Sequence, residues 1–302
     1  MKSFVIVATK GRARETYTLL DYLAQQNYPI EKIIIVGSEP NDVENLEKHS
    51  LAKSNNAIIL LSNKAGLTIQ RNVGLNALDD LVAELNVYEW FVTFFDDDFR
   101  PDDDWIINAA KAFELHSDWV GLTGLVVADG VNSNGITEEE SKVYLKQHMG
   151  QNLSESNLEK KYGLYGCNMA FRGNVAYQLR FDENLPFYGW QEDVDFGSRA
   201  AKLGKLYKTN RCVGVHMGSS SGRTSGIRFG YSQIANPLYL VKKGTMQRKF
   251  AFKLIFRNLL SNIIRAATFN QTKDYKGRLY GNWLACKDLI LSRCHPLKVL
   301  GF

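Results

Sequence analysis

A layered α/β fold is predicted for this chain by two observations. Short apolar runs of strand length alternate with longer amphipathic segments through about the first 125 residues. Three consecutive aspartates, Asp96-Asp97-Asp98, close the most apolar of those runs, Trp90-Phe91-Val92-Thr93-Phe94-Phe95. Strands separated by helices of this length imply parallel crossovers, and ligands in such sheets gather at the carboxyl ends of the strands.

In chain order, 4–8 (Phe-Val-Ile-Val-Ala) is β-branched, aromatic and uninterrupted, as a strand buried on both faces should be. Residues 14–26 are amphipathic and stop before Pro29. Strands follow at 32–36 and 57–61, with a helix expected from about Asp42 to Ala52 between them. A long helix is expected over 68–85, the aspartate-terminated strand over 90–95, a helix over 102–115 and a strand over 119–126. Residues 128–160 are polar and read as a long loop carrying a short helix, a length more often functional than structural. Order resumes at 164–172, a helix is expected over 192–203, and one or two short strands over 205–215. Residues 219–226 form a hydroxyl-rich loop containing Arg223.

The chain has 302 residues, with 45% hydrophobic and 23% charged, a globular composition that excludes disordered and fibrous classes. Met1-Lys2-Ser3 runs straight into a strand, so no signal peptide is expected. Cys167, Cys212, Cys286 and Cys294 lack metal-ligand spacing and read as thiols in a reducing cytoplasm. The net charge of +5 is unevenly divided. Residues 242–302 hold 13 Lys or Arg against two acids, Asp274 and Asp288, for +11; residues 1–241 hold 24 against 30, for −6. A basic tail on an acidic body points to an anionic partner, a membrane surface or a polyanion. Within it, 249–269 is apolar but broken by Lys253, Arg257 and Arg265, too charged for a simple span. It suits either a helix lying in a membrane interface or one that packs on the core.

Three carboxylates at one strand end repel each other unless a cation sits among them. A hard divalent ion is the usual solution, and it also binds a diphosphate; the alternative is a solvated acidic turn. Trp190-Gln191-Glu192-Asp193-Val194-Asp195-Phe196 opens a helix after Pro186 and Gly189. Its carboxylates either cap that helix or include a general base kept apart from the metal. His216 ends a short strand and is either structural or a ligand beside the carboxylates.

Taken together these elements resemble glycosyltransferase family 2 enzymes of the GT-A fold, over about residues 3–220. The matching elements are the first strand with Thr9-Lys10-Gly11-Arg12, then Asn63-Lys64-Ala65-Gly66 with Gln70-Arg71-Asn72-Val73-Gly74, then Phe95-Asp96-Asp97-Asp98. Gly166-Cys167-Asn168-Met169-Ala170-Phe171-Arg172, the Glu192-Asp193 element and Val215-His216 follow in family order. The resemblance implies a Rossmann-like, mixed but mainly parallel sheet flanked by helices. It divides the chain into a catalytic domain over 1–240, with a nucleotide-sugar half to about 125 and an acceptor half beyond, and a basic helical tail over 241–302.

It also implies an inverting transferase that moves a sugar from a nucleoside-diphosphate sugar, UDP first among them, to a hydroxyl of an acceptor; with the basic amphipathic tail, that acceptor is expected to be a lipid-linked or growing surface glycan. Asp98, Asp96 and His216 would hold Mn²⁺ or Mg²⁺; Asp193 would be the base, with Glu192 orienting the acceptor. Thr9, Arg12, Gly66, Arg71, Asp96 and Asp97 would meet the donor, and Asn168 and Trp190 the acceptor. The second strand ends Val36-Gly37-Ser38-Glu39, without the family's base-pairing aspartate, so Ser38 or a backbone group would replace it. Arg223 is a candidate for closing over the diphosphate. The tail points to peripheral attachment at the cytoplasmic face of the cell membrane through 249–269, with no nucleic acid as partner. A sugar nucleotidyltransferase and a non-catalytic polyanion- or membrane-binding module are the alternatives. Release of pyrophosphate would mark the first, and strongly salt-dependent polyanion binding the second.

Overall fold

In the computed structural model, residues 1–133, 135–148, 159–161, 163–219, 225–268 and 273–302 are described. Nine strands among them form one mixed sheet, in the order β3-β2-β1-β4-β8-β6-β9-β5, with β7 also paired to β9. The first four to pair are β1 (Lys2–Ala8), β2 (Lys32–Gly37), β3 (Ala57–Leu61) and β4 (Trp90–Asp96), all parallel. Their interleaved helices are α1 (Ala13–Ala24), the single turn α2 (Ser50–Lys53) and α3 (Leu67–Val82). β1 explains why its sequence has no polar alternation. Val5 and Val7 pack with Leu19, Leu20 and Phe113 on one side of the sheet, while Phe4 and Ile6 pack with Leu75, Leu78 and Trp90 on the other.

The parallel pattern stops at β8 (Asn168–Arg172), which enters antiparallel between β4 and β6 (Trp119–Asp129). β9 (Lys205–His216) then runs parallel to β6, while β5 (Phe99–Pro101) and β7 (Glu159–Lys161) pair antiparallel to β9. The expected strand pieces over 205–215 are thus one strand, with register shifts against β6. This arrangement brings the ends of β4, β6 and β9 to one edge: Ala8 is opposite Asp96, and Asp129 is opposite His216.

The helices α4 (Trp105–Leu115), α6 (Gly173–Gln178) and α7 (Glu192–Ala200) cover the sheet, and α5 (Glu138–His148) is the short helix expected within 128–160. Glu138 anchors α5 by accepting from Arg100 Nε at 2.6 Å and from Tyr22 at 3.2 Å. Residues 149–158 of that segment lie outside the described residues. The helix expected over 42–52 is replaced by two short 3₁₀ turns, 40–43 and 46–48, and by α2. The cause is local. The buried Asp42 carboxylate accepts from the backbone N–H of Gly11, Ser38 and Glu39 and from the Ser38 hydroxyl, which holds a turn in place of a helix.

Past the sheet, α8 (Gly226–Lys243), α9 (Arg248–Ala267) and α10 (Tyr275–Ile290) form a helical cap. α8 and α10 cross closely. A Cβ at Gly230 would overlap the carbonyl of Arg278, and one at Gly281 the carbonyl of Ile227. Asn262 on α9 donates to Gln233 of α8 at 2.7 Å and to Asn282 of α10 at 2.9 Å, while Asn282 donates to the Gly230 carbonyl at 2.6 Å. The cap is fastened to the sheet domain through buried Asp195, which accepts from Thr245 at 2.8 Å and Lys243 at 2.9 Å. No helix among the described residues is long and apolar enough to cross a membrane.

Candidate functional site

At the shared edge of β4, β6 and β9, Asp96, Asp98 and His216 each offer a ligand atom within 4.8 Å of the others. Each carboxylate has one oxygen already held. Arg71 grips Asp96 Oδ1 at 3.0 Å; Asp98 Oδ2 accepts from Arg12 at 3.1 Å and from the Ser219 N–H at 2.8 Å. The other Asp98 oxygen, Oδ1, faces His216 Nε2 at 3.5 Å. On the far side of the ring, His216 Nδ1 lies 3.2 Å from Asp129 Oδ1, and Tyr165 donates to Asp129 Oδ2 at 2.8 Å. A carboxylate behind a histidine fixes the ring and its tautomer, as in many metal sites. Two carboxylates and an oriented imidazole fit a hard or borderline divalent ion such as Mg²⁺ or Mn²⁺.

The electrostatics agree with that fit. Burial opposes protonation of His216, but its hydrogen bonds to Asp129 and Asp98 outweigh it and push the pKa up to about 10. Burial would also raise Asp98; the His216 hydrogen bond and Arg12 instead hold it well below the usual carboxylate range. The imidazolium and Arg12 thus supply positive charge that a bound cation would provide in place of the histidine proton. Asp97 points the other way. It is fully buried, burial pushes it up to about 7 against the pull of Arg12, and Arg12 Nη2 lies 3.0 Å from it. Asp97 therefore anchors Arg12 from the interior and does not reach a donor.

Two cavities meet at Asp96. The smaller, about 200 Å³, is lined by Thr9, Arg12, Gly66, Gln70, Tyr188 and Arg228 among others. Gly66 has a φ of 157° at the start of α3, and Gln70 ties the loop after β1 to β2 by donating to the carbonyls of Thr9 and Val36. The larger, about 390 Å³, takes in Trp190, Glu192, Asp193, His216 and residues of the cap. Asp193 is half-buried. Its Oδ2 accepts from the Gly166 N–H at 3.1 Å and its Oδ1 from the Val194 N–H at 2.8 Å. Burial raises its pKa. Glu192 is buried against Arg71 at 2.7 Å, and burial pushes it up to about 8 despite that partner. Trp190 meets Phe229 of α8 edge-on at 5.8 Å.

Three expected contacts are placed elsewhere. Arg71 is 1% exposed and lies over the Phe94 and Phe181 rings, donating to Asp96, Glu192 and the Gly166 carbonyl. It joins the two carboxylates from beneath, where a ribose or diphosphate would not reach it. Asn168 is fully buried and accepts from Thr123 at 2.6 Å and the Gly124 N–H at 2.9 Å, which registers β8 against β6 instead of facing an acceptor. Ser38 spends its hydroxyl on Asp42 at 2.7 Å and is absent from both cavity linings. Arg223 lies outside the described residues. Sequence reasoning missed Asp42, Tyr188, Asp129 and Tyr165. Asp129 had a legible signal, an acid at the end of a strand in the same sheet.

The model of glycosyl transferase family 2 matches residues 4–179, more than half of the chain. The chain belongs to glycosyl transferase family 2. No curated protein matches it. Among solved structures, this glycosyltransferase is similar to the mannosyltransferase PcManGT from Pyrobaculum calidifontis in complex with GDP-Man and Mn²⁺. The identity is 14%, with 99% of this chain and 85% of that one covered, and the TM-score is 0.57. S. aureus TarS in complex with UDP is 17% identical, with 90% of this chain and 73% of that chain covered and a TM-score of 0.52. GalNAc-T7 with UDP, GalNAc and Mn²⁺ is 13% identical, with 73% of this chain but 44% of that one covered and a TM-score of 0.53. At these identities the likeness establishes the GT-A architecture of the sheet.

Proposed function

We propose that this glycosyltransferase inverts the anomeric centre in a single displacement, with the smaller cavity taking a nucleoside-diphosphate sugar and the larger taking the acceptor. The observation that carries the reading is the position of Asp193. It is on the lining of the larger cavity alone, whereas Asp96 lines both. A base on one side of the reacting carbon and the departing diphosphate on the other is the geometry of an in-line attack.

Asp193 is the base. It is more accessible than Glu192, and burial raises its proton affinity toward the range useful for removing a hydroxyl proton. Glu192, clamped by Arg71, orients the acceptor. Trp190 offers an aromatic face to a sugar ring. Thr9, Arg12, Gly66 and Asp96 surround the donor. Asp98, Asp96 and His216 would hold Mn²⁺ or Mg²⁺, which when bound neutralises the diphosphate leaving group. The similar folds hold UDP in TarS and GalNAc-T7 and GDP-Man in PcManGT, so UDP-sugars are the first donors to test.

The acceptor belongs to a lipid-linked or growing surface glycan met at the inner face of the cell membrane. α9 supports this reading: Phe252, Phe256, Leu260, Ile263 and Ile264 are exposed on a helix that also carries Lys249, Lys253 and Arg257.

The test is metal-dependent hydrolysis of a panel of nucleotide sugars. One donor should release nucleoside diphosphate with Mn²⁺, and Asp98→Ala should abolish the release. Asp193→Asn should retain Mn²⁺-dependent nucleotide binding while transfer to an acceptor falls by about 10³-fold. Transfer that survives Asp193→Asn refutes the base assignment, and release of pyrophosphate refutes the transferase reading of the donor site.

A further inference from the structure

We infer that Tyr188 donates a hydrogen bond to a ring hydroxyl of the sugar being transferred and helps to select that sugar. This rests on the reading of the smaller cavity as the donor site and the larger as the acceptor site.

An in-line transfer puts the migrating sugar where the two cavities meet, because its carbon is joined to the diphosphate before the step and to the acceptor after it. Three residues line both cavities: Leu67, Asp96 and Tyr188. They are not equivalent. Leu67 has no polar side-chain atom. Asp96 has one oxygen on Arg71 and converges with Asp98 and His216. Tyr188 is the neutral hydrogen-bonding side chain of the three. Its ring packs 6.1 Å from that of Phe229, yet the residue is 50% exposed. Among the described residues its hydroxyl has no hydrogen-bond partner. A phenol with a packed body and a free tip suits a hydroxylated ligand. Burial in the cleft, followed by the charges of Asp96, Asp193 and Glu192, raises its pKa, so the proton stays on the phenol.

The backbone that presents Tyr188 is held where side-chain-bearing residues seldom go. Phe187, Gly189 and Gln191 have φ of 55°, 61° and 73°, so left-handed residues alternate with Tyr188 and Trp190. Strain of this kind persists where the surroundings over-determine it. Here both parts of the molecule do so. From the sheet domain, the Leu67 N–H donates to the Phe187 carbonyl at 2.7 Å, and Gly66 bridges to Phe187. From the cap, Asn236 donates to the Trp190 carbonyl at 2.8 Å, Arg228 lies 4.5 Å over the Phe187 ring, and Phe229 meets both Tyr188 and Trp190.

The result is a graded wall. Along this loop the lining passes from the smaller cavity at Phe187, through both at Tyr188, to the larger at Trp190. Tyr188 therefore stands beside the sugar itself, with the nucleotide on one side and the acceptor on the other.

The experiment measures, by calorimetry on the full chain with Mn²⁺, the binding of UDP, UDP-glucose, UDP-galactose, UDP-GlcNAc, GDP and GDP-mannose to wild type and to Tyr188→Phe. The variant removes one oxygen and keeps the ring that packs on Phe229. It should leave the free nucleotide within about twofold and weaken the preferred nucleotide sugar about fivefold, the worth of one hydrogen bond. The spread of affinities among the sugars should narrow, and the sugar whose binding falls most carries the hydroxyl that Tyr188 meets. Tyr177→Phe, an exposed tyrosine on neither lining, should change nothing. Equal weakening of free nucleotide and nucleotide sugar assigns Tyr188 to the nucleotide or to the fold and overturns the inference. Unchanged binding of the nucleotide sugar overturns it as well. Wild type that binds no nucleotide with Mn²⁺ strikes the donor-site reading and this inference with it, whereas nucleotide binding without a sugar-specific loss in Tyr188→Phe strikes this inference alone.

Discussion

The sheet domain and the helical cap treat the same residue types in opposite ways. In the sheet, Val5, Ile34, Phe94 and their neighbours are sealed on both faces, and a cluster of charge gathers at the edge where β4, β6 and β9 end. In the cap, Phe252, Phe256 and Ile290 face outward, and the residues sealed between its helices include Gln233, Asn262 and Asn282. The difference separates two kinds of stability. The sheet is held by apolar burial, which is non-directional and tolerant. The cap adds to a small apolar cluster of Tyr231, Ile234, Ala235, Ala285 and Val299 a close glycine crossing and a buried amide network, which require fixed geometry. A region so assembled leaves its apolar surface available to something else.

The largest expected effect breaks a buried charge cluster of the sheet domain. Arg71→Met removes the guanidinium that Asp96 and Glu192 share and leaves two carboxylates beside each other without it. It should cost about 3–5 kcal/mol, measured by urea unfolding. A loss under about 1 kcal/mol would mean that the carboxylates do not depend on Arg71.

Next comes the cap. Gly281→Ala pushes a methyl into the Ile227 carbonyl and should cost about 2–3 kcal/mol, by separating α8 from α10. If the cap is distinct from the sheet in its packing logic, donor hydrolysis in this variant should suffer less than transfer to an acceptor.

A third effect lies at the base of α4. Burial, with Asp104 and Asp103 nearby, pushes Asp102 up to about 7. A carboxyl with a raised folded pKa contributes stability that is fully present below about pH 4 and lost as the pH rises through about 7. Asp102→Asn should therefore flatten the decline of stability between those values and gain about 1–2 kcal/mol at pH 8. A variant whose profile still falls over that range would put the titration elsewhere.

The smallest effect on stability is the sharpest on the comparison. Phe252→Ser/Phe256→Ser should change the melting free energy by less than about 0.5 kcal/mol, because both rings are already exposed. Sedimentation with anionic vesicles should fall several-fold. Unchanged vesicle binding would remove the membrane from the account of α9.

Much of the sheet was legible because its signals are local. Apolar runs at 4–8, 32–36, 57–61 and 90–95 each became a parallel strand, since a strand buried on both faces must be apolar throughout. The segment 42–52 misled because its composition allows a helix, while Asp42 is satisfied by N–H groups from Gly11 and the turn after β2. The aspartate triplet marked the site, yet its three members look alike in sequence. Only their position on β4 and in the turn after it separates Asp96 and Asp98, which converge with His216, from Asp97, which faces inward to Arg12. Arg71 and Asn168 sit in motifs and were read as ligand contacts; both are buried and hold the site's frame. The motif spacing that identifies such residues is silent on which side of the surface they lie.

By itself the sequence determined the α/β class, the family, the acidic edge and the charge division, all properties carried by residue type, period and order. The tertiary structure alone decided that Asp129 backs His216, that Arg71 joins Asp96 to Glu192, and that α9 places Arg257 and Arg265 on the cavity lining and leaves Phe252 and Phe256 exposed. The reason is physical. An amphipathic helix announces that it has two faces, but which face meets the protein depends on what waits there, and here that was a polar cavity contributed by residues far away in the chain.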